Sequence, residues 1–166
     1  MPLLENGRVA ENRFVAVADD VPLPADAPAL ISLSRLQRDA EALAGRNAEL
    51  GVQLPSDTRP EDLAPLLDRV SLVAIEFPKF RDGRGFSIAR TLRERYGFAG
   101  ELRAVGHILP DQYFFLVRCG FTSVEVPDGT DIGVWSASLG RFRVAYQAAA
   151  DVAPTVSGLR RRVALG

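Results

Sequence analysis

Residues 71–126 read SLVAIEFPKFRDGRGFSIARTLRERYGFAGELRAVGHILPDQYFFLVRCGFTSVEV, and this stretch decides the fold. It opens with a near-continuous apolar run, residues 71–77 (SLVAIEF). Such a run suits a strand covered on both faces, as parallel sheets require. A basic glycine loop, PKFRDGRGF, follows. The spacing then predicts a helix from about Ser87, with Ile88, Ala89, Leu92 and Tyr96 on one side and Gly97 as its stop. Residues 101–106 (ELRAVG) read as the next strand. Pro110 opens a second helix with Asp111 in its first turn, where a carboxylate complements the helix dipole. Tyr113, Phe114 and Val117 supply its apolar side, Gly120 ends it, and residues 121–126 (FTSVEV) form a further strand.

The same alternation extends upstream. Residues 29–33 (ALISL) and 49–54 (ELGVQL) read as strands. Between them Ser34 caps a helix whose Leu36, Ala40, Leu43 and Ala44 share a face. Pro60 suits the first turn of another helix, with Leu63, Leu66 and Leu67 as its apolar side. Five strands alternating with helices predict a parallel sheet with right-handed crossovers. The expected fold is therefore one α/β domain over residues 1–166, with a five-stranded, mainly parallel sheet and helices on its faces, flavodoxin- or Rossmann-like. A partial (β/α) barrel is the alternative, because forward βα repetition has the same sequence signature. Residues 1–28 read as a peripheral segment. Trp135, Leu139, Phe142 and Tyr146 form a helical stripe that reads as core packing. Residues 154–166, with Arg160, Arg161 and Arg162, read as a solvated tail.

Composition narrows the function classes. A chain of 166 residues with 47% apolar and 25% charged residues has the balance of one ordinary globular domain. A net charge of -1 gives no electrostatic footprint for nucleic acid. Cys119 is the one cysteine, which excludes an internal disulfide and a cysteine-built zinc or iron–sulfur site. The one histidine, His107, argues further against a protein-built metal site. The opening MPLLENGRVAEN lacks the pattern of a secretory signal, and no apolar run approaches membrane-spanning length. A cytoplasmic protein with no membrane partner is expected.

In parallel α/β folds, ligands collect where strands end and helices begin. Of three such junctions, residues 77–87, 106–112 and 127–131, the first is the most informative. Lys79, Arg81 and Arg84 place three cations within a few residues. Gly83 and Gly85 permit close backbone approach, and a helix start at Ser87 adds free amide groups and partial positive charge. The set reads as an oxyanion cradle. A tight turn at Asp82 and Gly83, its arginines paired with carboxylates, carries equal weight. Neither a Walker A ending nor a complete G-x-G-x-x-G is present. His107 and Asp111 are the candidate acid–base residues, although a histidine hydrogen-bonded at a turn is the preferred reading. Cys119, near a helix C-terminus, reads as packing. Glu76 and Glu125 lie near strand ends, suited to proton transfer or, more simply, to pairing with Arg81, Arg84 or Arg103.

At FPKFRDGRGFS, LRERYGFAGELRAVGHILPDQ, RCGF and VAYQ, the chain resembles a bacterial family of unknown function. Its genes commonly sit beside those for assimilatory sulfite reductase and sulfate-activation enzymes, and its members are sometimes labelled oxidoreductases of sulfite reduction. The likeness covers most of the chain. It departs at His107 and Pro110, where relatives often carry Asp and Arg, which weighs against an essential role for His107. The resemblance implies a pathway and a small oxyanion such as sulfite. No flavin or nicotinamide fingerprint is recognised, so the cofactor stays unassigned. Hard redox steps need such a group. An accessory or interaction protein of the sulfite reductase machinery is therefore expected, with an oxidoreductase using an added nicotinamide or flavin as the alternative. Homodimerisation stays open.

Overall fold

The computed structural model describes residues 1–140. Eight strands form one sheet: β1 (Leu3–Glu5), β2 (Arg8–Ala10), β3 (Val15–Ala16), β4 (Ala29–Ser32), β5 (Leu50–Leu54), β6 (Leu72–Phe77), β7 (Glu101–Gly106) and β8 (Ser123–Glu125). Their spatial order is β2-β1-β8-β7-β6-β5-β4-β3. Every neighbour from β3 to β8 is parallel, whereas β1 lies antiparallel between β8 and β2. Helices α1 (Leu33–Arg38) and α2 (Ala40–Leu43) join β4 to β5. Helix α3 (Pro60–Leu63) and a 3-10 turn (Ala64–Arg69) join β5 to β6. Helix α4 (Arg84–Glu94) joins β6 to β7, and a 3-10 turn (Pro110–Gln112) with α5 (Tyr113–Arg118) joins β7 to β8. Helix α6 (Ile132–Gly140) follows β8. Phe142, Tyr146 and the tail expected over 154–166 lie outside the described residues.

This order corrects the expectation of a five-stranded flavodoxin- or Rossmann-like sheet. In those folds strand addition reverses and resumes on the other side of the first strand, which puts helices on both faces. Here each parallel strand sits beside the one before it in the chain. Right-handed crossovers that always step the same way keep their helices on one face. The core divides accordingly. The larger cluster joins Ile31, Val52, Val73 and Leu102 to Leu36, Leu63, Ile88, Leu92 and Leu116 of the helices. The smaller, on the opposite face, holds Phe14, Leu30, Leu72 and Ala74 with no helical residue.

Chain connectivity forces the sheet to curl. Strands β2 and β3 are its two edges, yet only residues 11–14 separate them. Laid flat, eight strands at about 4.8 Å spacing would hold their edges about 34 Å apart. The five residue steps from Ala10 to Val15 reach about 18 Å at most. The sheet is a half-barrel, which fits the partial-barrel alternative, and residues 11–14 cross its concave side as a strap.

The first 28 residues are thus not peripheral. They supply three strands, the strap and the buried Leu3, Leu4 and Phe14. Under the strap, Asn12 Oδ1 accepts from Arg103 Nη1 at 2.8 Å. Arg103 is 1% exposed and pairs with Glu101 at 2.9 Å and Glu125 at 3.3 Å. No helix among the described residues is long and apolar enough to cross a membrane.

Candidate functional site

The residue 77–87 loop leaves the carboxyl end of β6. Asp82 N–H donates to Lys79 O at 2.9 Å and closes the turn. Helix α4 then begins at Arg84, almost a full turn before Ser87. Its buried Gly85, Ile88, Ala89 and Leu92 fall at i, i+3, i+4 and i+7, the core-facing stripe of an amphipathic helix. Gly85 is needed there for packing, since a Cβ would lie 2.7 Å from the Phe77 ring. Its missing side chain faces the Phe77 ring in the core. Gly83 meets nothing within 4 Å and has ordinary negative φ. Ser87 is exposed, and its carbonyl accepts from Thr91 Oγ1.

The helix start already holds an anion, the chain's own Asp82 carboxylate. It accepts from the Arg84 amide at 3.2 Å, from Arg84 Nε at 2.9 Å and Nη2 at 2.7 Å, and from Ser56 Oγ at 2.8 Å. Arg84 Nη2 also donates to Ser56 Oγ at 2.9 Å. The Arg84 hydrogen bonds, followed by that from Ser56, hold the Asp82 carboxyl well below the usual carboxylate range. Its side chain is 12% exposed, whereas that of Arg84 is 59% exposed. Arg84 thus takes the paired form of the two readings. Lys79 and Arg81 stay exposed and make no ion pair among the described residues, and the Arg81 guanidinium lies 5.3 Å from the Phe80 ring centre.

The depressed Asp82 pKa has a defined consequence. A carboxylate whose folded pKa lies below its unfolded value of about 3.9 contributes its full stabilisation above that pH. The contribution is lost as pH falls towards the folded pKa. Denaturant titrations of wild type and Asp82→Asn should differ by a constant amount at neutral pH and converge below about pH 4. A difference that persists unchanged in acid would show that Asp82 is not held ionised by these partners.

The neighbouring junction is tied to this loop. Gln112 Oε1 accepts from Leu109 N–H at 3.0 Å, and its Nε2 donates to Phe80 O at 2.7 Å. Phe86 packs against Phe77 at 5.0 Å and Phe115 at 4.8 Å between ring centres. Phe80, Leu109 and Phe115 remain exposed. Gly106, at φ +100°, ends β7 where a Cβ would lie 2.6 Å from Phe77 O. His107 follows, its amide donating to that oxygen at 2.7 Å. The His107 and Asp111 side chains are exposed and are not hydrogen-bonded to each other. Cys119 is buried.

Sequence reasoning missed Ser56 and the reach of Gln112 to Phe80, because each of these contacts joins two separate segments. It offered Glu76 and Glu125 as a pair or as partners of arginine. Glu125 does meet Arg103, but Glu76 instead accepts from Gln53 Nε2.

A family model described as a bacterial protein of unknown function (DUF934) matches residues 51–156. No match was found among curated proteins or among solved structures.

Proposed function

The chain belongs to the DUF934 family of bacterial proteins of unknown function, and we propose that it is an accessory interaction protein of assimilatory sulfite reduction. In this reading the residue 77–87 loop docks on the sulfite-reducing enzyme and binds a small oxyanion. One observation carries it: exposed Phe80 and Leu109 are tied together by Gln112, exposed Phe115 packs on Phe86 of the same loop, and Lys79 and Arg81 beside them make no ion pair among the described residues. Single exposed apolar side chains are ordinary, but a patch of them marks an interaction surface. Aromatic residues and arginine are enriched at binding hot spots, and flanking cations favour an acidic partner. The pathway comes from the gene neighbourhood that the sequence resemblance implies. With Arg84 held by Asp82, the oxyanion falls to Lys79 and Arg81.

Calorimetry with purified assimilatory sulfite reductase from the native host tests the docking. The Phe80→Ala/Arg81→Glu double variant should bind at least about 30-fold more weakly, the loss of one or two hot-spot residues, with an unchanged circular dichroism spectrum. Equal affinity for a folded double variant removes this surface from the interface. Sulfite titrated into wild type and Lys79→Glu tests the anion, and equal heats would remove Lys79 from the site.

A further inference from the structure

We propose that the carboxyl mouth of the half-barrel, on its concave side, binds a small cationic molecule, a primary amine or a guanidine, through Glu76, Gln53 and Asp19. A cleft of about 350 Å³ opens there, lined by Val17, Asp19, Ser32, Gln53, Pro55 and Glu76 among others. Its size falls at the small end of metabolite-binding cavities. Its place, inside the curl and at the carboxyl ends of parallel strands, is where (β/α) barrels bind their ligands. Two larger depressions, of about 490 and 600 Å³, lie where chain segments enter the amino ends of β5, β6 and β7, the edge that barrels use for stability.

The lining chemistry selects the ligand. Ser32 and Gln53 are cross-strand neighbours in β4 and β5. Gln53 shares a face with Ala74 of β6, and Glu76 lies two residues further along that strand. All three are half-buried. The side-chain hydrogen bonds formed in the cleft run to carboxylates: Ser32 Oγ donates to Asp19 Oδ1 at 2.7 Å, and Gln53 Nε2 donates to Glu76 Oε1. Gln53 Oε1 and Glu76 Oε2 have no hydrogen-bond partner among the described residues. Apart from the second Gln53 amide hydrogen, the unspent side-chain capacity is acceptor, and two carboxylates give it negative charge. Other inward carboxylates, Glu101 and Glu125, meet Arg103, whereas Glu76 pairs with no cation among the described residues. A half-buried carboxylate without one gains most from a ligand that brings the charge.

The cations near the cleft do not supply that charge. Arg35 donates to Ala18 O at 2.5 Å and pairs with Asp39 at 3.5 Å. Arg38 donates to Asp19 O at 3.3 Å and pairs with Asp39 at 2.8 Å. No group of three or more His, Cys, Asp or Glu suited to a metal ion occurs among the described residues, which favours an organic cation. Apolar Ala16, Val17 and Pro55 would flank its carbon chain.

Agmatine, with an amine at one end and a guanidine at the other, is the probe, and succinate is its anionic counterpart. In an amide-detected NMR titration of the full chain, agmatine should shift Val17, Ser32 and Gln53 saturably, and succinate should not. Glu76→Gln should weaken agmatine at least about tenfold, the loss of one charge-assisted contact. Asp19→Asn, at an exposed position, provides a second variant should Glu76→Gln fail to fold. Lys79→Glu should leave the agmatine response intact, which separates this site from the docking loop. No saturable shift at those amides, equal binding of succinate, or undiminished affinity in folded carboxylate variants overturns the assignment.

Discussion

Replacing Arg103 with alanine is expected to cost about 3–5 kcal/mol of folding stability, the range for breaking a buried ion pair from one side. The guanidinium lies at the centre of the concave face, 1% exposed. Its Nε and Nη2 each stand 2.9 Å from Glu101 Oε1, and Nη1 stands 3.3 Å from Glu125 and 2.8 Å from Asn12. Ser123 Oγ also donates to Glu101 Oε1, at 2.5 Å. Alanine would leave two carboxylates, Glu101 20% and Glu125 19% exposed, without the cation between them. The loss should come mainly from those stranded charges, so the Arg103→Ala/Glu101→Gln/Glu125→Gln triple variant should recover a substantial part of it. Urea denaturation of the three proteins checks this. A cost below about 1 kcal/mol, the range of an exposed pair, would mean that water reaches the network and that the concave face is not sealed.

Of this network the chain offers only the pairing of Glu125 with Arg103, as one alternative among several, although the strand that carries Arg103 is legible. Residues 101–106 and the bulk of 71–77 were legible because each is an apolar or alternating run bounded by glycine, proline or a turn. Strand identity is local information and strand order is not. Five strands alternating with helices are compatible with a reversing order and with a forward one. The deciding fact, that residues 11–14 must join the two sheet edges, depends on β1, β2 and β3. These strands have two or three residues each, too few for a period-two pattern to emerge. Leu3 and Leu4 show the difficulty: adjacent in sequence, they are both buried, with alternate side chains on opposite faces of the sheet.

The candidate site divides along the same line. Its charges are visible as residue types and their pairing is one of two readings, but the partners are not legible. The sequence reading starts this helix near Ser87, after Gly83 and Gly85, and glycine is a poor helix former. Gly85 is helical nonetheless, since the Phe77 ring leaves no room for a side chain and Asp82 caps the turn. Asp82 reaches Ser56, 26 residues away, and Gln112 reaches Phe80, 32 residues away. Gln53 meets Glu76 only through the register of β5 on β6. A single sequence carries none of these pairings. The lone histidine, His107, stands exposed, with no carboxylate paired to its ring among the described residues.

Phe14→Ala is the second large loss, about 3–5 kcal/mol on the scale of deleting a buried aromatic ring. Phe14 is 6% exposed and packs with Leu30, Leu72 and Ala74, with Val105 alongside. The Arg103 guanidinium lies 5.8 Å from its ring centre, and its amide donates to Asn12 Oδ1 at 3.2 Å. The ring is thus the apolar half of a plug whose polar half is Arg103, and both are pinned by the strap. Because the two side chains touch, their losses should not add. The double variant should fall short of the sum by an interaction free energy of about 0.5–3 kcal/mol. The strap also leads directly into β3, an edge strand of two residues held by Val15 N–H on Pro28 O and Val17 N–H on Leu30 O. Losing the ring should let that edge open locally. Hydrogen exchange should accelerate at Val15 and Val17 by more than the global destabilisation accounts for, while central β6 amides such as Val73 follow global unfolding. Phe14→Leu should restore most of the protection. If β3 and β6 amides respond equally to Phe14→Ala, the strap is not an independent latch and the half-barrel opens only as a whole.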